Sequence, residues 1–443
     1  MNTNIVKTLN YIKRNGIIKG YYAVRERLEA QKEPPYIFTP IKEEERLNQL
    51  SASLAYDVTF SILVPAYETD EVYMRELIDS VRAQTYGKWE LIIADASTSD
   101  KVANVIGEYA DDRIKYLKLE SNLGISGNSN AGLELCQNEY TTLLDHDDVL
   151  TQDALFTFAQ KISEKRKDDI KLQMLYSDED KTNAENTLFF EPNIKPGFNL
   201  DLLLSNNYIC HFLCIETSII RELKFRSEYD GAQDHDLILR TVRYLRKRYG
   251  RNFEEMICHI PKVLYHWRCH EASTAANPKS KEYAYIAGKR CIEDYLKSVG
   301  IKAAVKELPH VGFYYVDYEP DIFAQRPEVG AIGCRMLDKH NLVADGIYDE
   351  NMQIMYKGLK SRYSGGYLHR AACQMEVPYV NVKGMIPSDE AVKILSKLIN
   401  DRPDITGDIK KLSIEFCNIM RANGYKFVYD PAVTVKYKEW AKN

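Results

Sequence analysis

The sequence predicts an α/β protein built on a mostly parallel sheet with helices on both faces. Three observations lead there. Short apolar runs alternate with stretches whose apolar residues recur at helical spacing. Of the 443 residues, 45% are apolar and 28% charged, the balance of an ordinary globular chain with ample core. From residue 60 the pattern runs strand, helix, strand, helix through four expected strands.

Phe60–Val64 is the first expected strand, stopped by Pro65. Met74, Leu77, Ile78 and Val81 recur at i, i+3, i+4 and i+7 and mark a helix face. Leu91–Ala94 is the second strand, ending in Asp95-Ala96-Ser97-Thr98, and Val102, Val105, Ile106 and Tyr109 repeat the helical spacing. Ile114–Leu119 reads as a strand, Ser126–Cys136 as a helix and Thr141–Leu144 as a fourth strand. Ligands of such sheets bind beyond the carboxyl ends of the strands. Attention therefore falls on Pro65–Thr69, Asp95–Ser99, Ser121–Asn130 and Asp145–Asp148.

Composition removes several classes. A net charge of −5 is not that of a nucleic-acid coat, and no nucleic-acid partner is expected. No run approaches the ~20 apolar residues of a membrane-spanning helix, and the start lacks a secretory signal. Nine cysteines without a CxxC pair point to reduced thiols and a cytoplasmic setting, and Cys258-His259 with Cys269-His270 matches no closed zinc site. Residues 1–32 differ from the rest, with seven Lys/Arg against two Glu beside the apolar Ile5, Val6, Leu9, Ile12, Ile17, Ile18, Tyr21 and Tyr22. Such a basic amphipathic segment either lies on an anionic membrane surface or packs as a solvated helix. Pro34, Pro35 and Pro40 mark an extended linker after it.

The chemistry gathers at Leu144-Asp145-His146-Asp147-Asp148. Clustered carboxylates repel one another unless a cation holds them, and hard oxygen ligands suit Mg²⁺ or Mn²⁺. A helix N-cap would account for one or two of these acids, such as Asp148 and Asp153, but not for three at a strand end. The run Gly124–Gly132 does not fit the dinucleotide pattern, and neither a Walker lysine nor a GxSxG elbow is present.

Taken together, Ser61-Ile-Leu-Val-Pro65-Ala-Tyr67, Leu91–Thr98, Asn122-Leu-Gly124, Asn128-Ser-Asn130-Ala and Leu144–Asp148 resemble family 2 glycosyltransferases of the GT-A fold. The resemblance continues through Tyr176-Ser-Asp178-Glu-Asp180, Lys195-Pro196, Asn207–His211, Gly231–Leu237 and Val263–His270, over roughly residues 58–318. The nearest flavour is the bacterial group that builds rhamnan, O-antigen and other surface polysaccharides. The resemblance implies that Pro65, Tyr67, Glu68, Asn122, Gly124 and Asn128 line the nucleotide-sugar site. It further implies that Asp95 takes the nucleobase, Asp145 the ribose or a metal-bound water, and Asp147 and His266 the Mn²⁺ or Mg²⁺. Asp234 falls at the catalytic-base position; otherwise it caps the helix Leu237–Leu245. Arg268 is expected to close over the diphosphate. Asp148, Lys195, His211, Asp236, Trp267 and His270 are acceptor-side or secondary candidates. Departures from the family pattern at Glu68, Ala94, Ala96 and Gln233 bear on the donor rather than the reaction.

Residues 319–443 resemble the back half of a second such module, through Arg326–Leu337 and Ala422–Ala432. Aligning on Cys417 and Gly424 puts Ser413 where a working copy presents its base. The expected organisation is a basic helical segment and linker (1–50), a GT-A domain (51–318) and a smaller, degenerate α/β module (319–443). That module would serve acceptor binding, dimer contact or lid support, or act as a structural cap. The expected activity is metal-dependent, inverting transfer of a sugar from a UDP- or dTDP-sugar to a glycan or lipid-linked glycan. A non-catalytic glycan- or partner-binding pseudo-glycosyltransferase is the alternative. Expected partners include a peripheral contact at the inner face of the cell membrane through residues 1–32, and a homo-oligomer.

Overall fold

The computed structural model describes residues 12–13, 16–30, 34–270, 282–360 and 365–440. They divide into two compact units. One comprises residues 35–198 and 207–295; the other comprises 1–34, 199–206 and 296–443.

The first unit is a nine-stranded sheet with the order β3-β2-β1-β4-β8-β6-β9-β5, and β7 pairing with β6. The strands are β1 (Phe60–Ala66), β2 (Trp89–Asp95), β3 (Ile114–Lys118), β4 (Tyr140–Leu143), β5 (Val149–Leu150), β6 (Met174–Asn183), β7 (Phe189–Asn193), β8 (Leu213–Glu216) and β9 (Ile257–Cys269). Strands β1 to β4 are parallel, in the register Ile62↔Leu91 and Ile62↔Thr142. Beyond them the sheet is mixed. Strand β8 runs antiparallel to β4 and β6, whereas β9 runs parallel to β6.

The parallel half forms as its sequence demands. Strand β2 is buried along its whole length, as a strand covered on both faces must be. The helix Glu71–Arg82 buries Met74, Leu77, Ile78 and Val81, the face its spacing marks. Asp70 caps it by accepting the Val72 amide at 2.8 Å. One core runs from Val58 through Tyr265 and holds the aromatic rings of Phe60, Tyr140, Phe158 and Phe212. The proline-rich stretch before it has no helix or strand between residues 34 and 42. It packs on this unit instead, with the Tyr36 hydroxyl donating to Asp180 at 2.9 Å and Phe38 edge-on to His266.

In the second unit, β10 (Ala303–Glu307) pairs antiparallel with β11 (Tyr314–Tyr318). A separate five-stranded sheet is centred on β12 (Val329–Leu337) and the strand Lys426–Val435, which run parallel. A helix, Ile409–Ala422, precedes that last strand. The first unit repeats this plan, with β6 parallel to β9 and the helix Gln233–Tyr249 ahead of β9. The short helix Leu200–Ser205 belongs to the second unit, where buried Asp201 accepts a hydrogen bond from Arg326 at 2.5 Å. Ser413 is fully buried; its hydroxyl donates to Ile409 and accepts the Val382 amide.

Of the basic N-terminal stretch, the structure describes the helix Ile17–Ala30, with Ile17, Ile18 and Leu28 more than half exposed. Lys7, Arg14 and Lys32 lie outside the described residues. No helix among the described residues is long and apolar enough to cross a membrane.

Candidate active site

The carboxyl ends of β1, β2 and β4 meet at one edge of the first unit. Pro65 lies within the end of β1, and the loop after it holds Tyr67 and Glu68, with Tyr67 about half exposed. The Glu68 carboxylate accepts hydrogen bonds from the amides and hydroxyls of Thr98 and Ser99, at 2.7–3.1 Å. Those bonds hold its pKa down at about 2 and tie the first loop to the second. Asp95 is fully buried and accepts from the Ser97 amide, the Tyr116 hydroxyl and Lys118. Burial would raise its pKa, but those bonds outweigh burial and lower it. Its carboxylate is therefore already engaged by protein donors. Asn122 accepts from the Gly124 amide and from Asn128, and Asn128 accepts the Leu123 amide, so the two amides fold the turn that starts the helix Gly124–Leu133. Gly124 has φ +76°, and a Cβ there would stand 2.5 Å from the Asp230 carboxylate.

The acids after β4 divide in two. Asp145 and Asp147 are partly exposed, whereas Asp148 is fully buried. Asp148 accepts the Arg268 amide at 2.7 Å and the Tyr265 hydroxyl. Burial, then the charges of Asp147 and Asp145, push its carboxyl well above the usual range. It anchors the turn rather than facing a ligand.

Two expectations about this turn need correcting. His266 does not stand beside Asp147: its Nδ1 pairs with buried Asp180 at 2.5 Å, and its ring packs between Phe38 and Phe189. The ring at Asp147 is His270, with Nε2 2.8 Å from Oδ2. Arg268 does not reach outward for a diphosphate either. It is fully buried, donates to the carbonyls of Asp147 and Ala184 at 2.6 Å, pairs with Glu76 and stacks on Tyr73. It holds the acidic turn in place.

Strand β6 supplies what sequence reasoning left without roles. Its three consecutive acids are all buried, and each takes one histidine. Asp178 pairs with His259 at 2.8 Å, Glu179 with His211 at 3.1 Å and Asp180 with His266. Lys195 is buried below, donating to the Ile209 carbonyl at 2.9 Å and lying 3.7 Å from Glu179. Burial would lower the His211 pKa, but the Glu179 bond and charge, with Asp145 3.6 Å away, raise it to about 10. His211 stacks on Tyr265 and lies 5.6 Å from the Trp267 ring. The Asp-Glu-Asp run was visible in the sequence; the histidines that answer it come from two other places in the chain, the turn before β8 and the strand β9.

Asp234 sits in the first turn of the helix Gln233–Tyr249, half-buried, and accepts from Gln233 at 3.1 Å. It makes no side-chain cap for that helix; the N-cap is Ala232. Burial, with the Asp145 charge added, pushes its pKa up to about 6, against the lowering effect of His211. Asp236, also in that first turn, is committed elsewhere through ion pairs with Arg226 and Arg240.

Residues 61–225 match the family model described as Glycosyl transferase family 2. Over those residues the chain is similar to the family 2 glycosyltransferases. Among similar curated proteins, an uncharacterized protein, y4gI, of Sinorhizobium fredii is 38% identical over 274 residues, covering 61% of this chain and 29% of that protein. The O-antigen biosynthesis protein RfbC of Myxococcus xanthus is 31% identical over 258 residues, covering 57% of this chain and 19% of that protein. An Escherichia coli protein, the UDP-Glc:alpha-D-GlcNAc-diphosphoundecaprenol beta-1,3-glucosyltransferase WfgD, is 34% identical over 93 residues, 21% of this chain and 36% of its own. The chain thus spans well under half the length of these relatives. The match to the glycosyltransferase family model takes in the turns after β1, β2 and β4, the β6 acids, Lys195 and His211. It stops before Asp234, His259, His266 and His270.

Proposed function

We propose that this glycosyltransferase domain moves a sugar from a nucleotide-diphosphate donor to a hydroxyl of a cell-surface polysaccharide precursor, with inversion and with Asp234 as base. One observation carries the reading. The Asp234 carboxyl sits half-buried at the head of its helix, and burial, followed by the Asp145 charge at the acidic strand end, raises its pKa to about 6. A base poised near the working pH, beside a site for an anionic leaving group, is what a direct displacement at an anomeric carbon needs. The acceptor hydroxyl attacks that carbon while Asp234 takes its proton, and the nucleoside diphosphate leaves with the bonding electrons. No covalent intermediate is needed. His211, kept charged by Glu179, offsets the negative charge of Asp145 beside the reacting groups.

In this reading a divalent cation would be held at Asp147 and His270. Asp147 and His270 present one oxygen and one nitrogen side by side. Among the described residues no set of three or more His, Cys, Asp and Glu would hold an ion alone. Two protein ligands with the remainder from phosphate and water suit Mg²⁺ or Mn²⁺. Bound there, the ion would neutralise charge on the departing diphosphate. The names of the relatives support a nucleotide-sugar donor and a lipid-linked acceptor. Work at the cytoplasmic face of a membrane, with the helix Ile17–Ala30 at the lipid surface, belongs to the same reading.

The test is a panel of UDP- and dTDP-sugars with Mn²⁺ or Mg²⁺ and membrane acceptor, read as released nucleoside diphosphate. Release is expected with one donor and lost in Asp147→Ala. Full activity of Asp147→Ala, or no release with any donor, would overturn the proposal.

A further inference from the structure

The second unit contains a cleft that the transfer chemistry does not use. Its volume is about 210 Å³, below the roughly 300 Å³ at which pockets for drug-sized ligands begin. That is room for one small ring. The cleft lies between β11 and the sheet containing β12, with Tyr315, Asp317, Gln374 and Asp430 supplying polar groups and Ile332 and Val428 apolar ones.

The polar groups are held in place by one another. Among the described residues β11 pairs with β10 alone, along one side, in the register Val305↔Val316. On its other side, Gln374 takes the place of a strand. Its amide oxygen accepts the Val316 N–H at 2.8 Å and its NH₂ donates to the Val316 carbonyl at 3.1 Å. The same NH₂ lies 3.4 Å from Asp430. Asp430, nearly buried, also accepts the Tyr315 hydroxyl at 2.9 Å and the Ala432 amide at 2.8 Å. All three of these donors are neutral. Burial raises the pKa of Asp430. Lys306 pairs with Asp317 at the rim, and among the described residues no lysine or arginine lines the cleft.

Such a lining sorts ligands by chemistry. A phosphate or nucleotide is repelled by the three carboxylates of Asp317, Asp321 and Asp430, with no lysine or arginine among the residues that line the cleft. A purely apolar ligand leaves Asp430 without use of its spare lone pairs. A neutral ring rich in hydroxyls satisfies both halves, donating hydrogen bonds to the acids and laying its C–H face on Tyr315 and the aliphatic residues. We infer that the cleft lined by Tyr315, Asp317, Gln374 and Asp430 is a saccharide-binding subsite of the second unit, separate from the nucleotide-sugar site. The inference rests on reading the chain as a sugar transferase, and the ligand class is one ring of a glycan such an enzyme would elongate.

The test is saturation-transfer NMR on the full chain with the methyl glycosides of glucose, galactose, rhamnose and N-acetylglucosamine. At least one glycoside is expected to receive saturation, with UDP present in excess to fill the donor site. Tyr315→Ala, which removes the stacking ring, and Asp317→Asn, which removes a charged acceptor, both at partly exposed positions, should each weaken that binding by about tenfold. Absence of saturation for all four sugars would overturn the inference. So would binding that both variants leave unchanged, a signal that UDP abolishes, or a response to Ca²⁺ alone. Donor turnover by the wild-type chain is read separately, so its failure would strike the transferase reading and not the cleft.

Discussion

The replacement Asp234→Asn asks one side chain two questions. Its carboxyl titrates at about 6, against an ordinary 3.8, chiefly because it is buried. If Asp234 is the base, activity follows its ionised fraction. That fraction falls from about nine-tenths at pH 7 to about one-tenth at pH 5, so kcat/KM should drop roughly tenfold over that interval. The same burial has a price in stability. Raising a carboxyl from 3.8 to about 6 means the charged form is disfavoured in the fold by at most about 3 kcal/mol. The sign is opposite to that of a salt-bridged aspartate. The folded state holds its proton more tightly, so this group's contribution to stability falls as pH rises from about 4 to 6. The amide introduced by Asp234→Asn would keep an acceptor for Gln233 without the charge. The variant should therefore be inactive at pH 7.5 and also more stable, by about 1–3 kcal/mol or a few degrees in Tm. The assays are nucleoside diphosphate release across pH 5–8 and thermal unfolding of both forms at pH 7.5. Wild-type-like transfer by Asp234→Asn would refute the base. A profile flat through pH 6, or a lower Tm for the variant, would refute the electrostatic argument.

Two further outcomes follow from the same geometry. The His211 pKa of about 10 lies above its unfolded value, so its stabilisation is complete below pH 6.5 and is lost as pH rises through about 10. Glu179→Gln removes the bonded anion that holds it there, and urea midpoints from pH 6 to 10 should show a shallower decline than in the wild type. An equal slope in both would count against the pair. Gly124→Ala places a Cβ 2.5 Å from Asp230 at φ +76° and should cost about 1–3 kcal/mol in the denaturant midpoint; an unchanged midpoint would show that the turn relaxes freely.

The relation of sequence to structure differs between the two halves of the candidate site. Strands β1 and β2 are legible because strands covered on both faces must be continuously apolar, and the helix Glu71–Arg82 because one face alone is covered. Position along the chain also placed Pro65–Glu68, Asp95 and Asp145–Asp148 at one sheet edge, since parallel strands send their carboxyl ends the same way. Spacing could not separate Asp147 from Asp148. The two are adjacent in sequence, yet one faces outward and the other is buried against Tyr265 and the Arg268 amide.

The histidines depended still more on tertiary structure. Residues 266, 268 and 270 fall at every second position along β9 and just past its end, and the family resemblance implied His266 as ligand and Arg268 as phosphate contact. Pairing of β9 with β6 sets His266 opposite Asp180 and buries Arg268 under the acidic turn, which leaves His270 for Asp147. The sequence by itself determined the order of strands and helices and where the acids cluster, because periodicity and clustering are properties of neighbours along the chain; the class of reaction came from its resemblance to a family. Which acid is buried, which histidine pairs with it and how far the Asp234 pKa rises were decided by long-range pairing. Burial and charge at those positions come from residues tens of places away, such as Glu179 for His211 and Asp145 for Asp234.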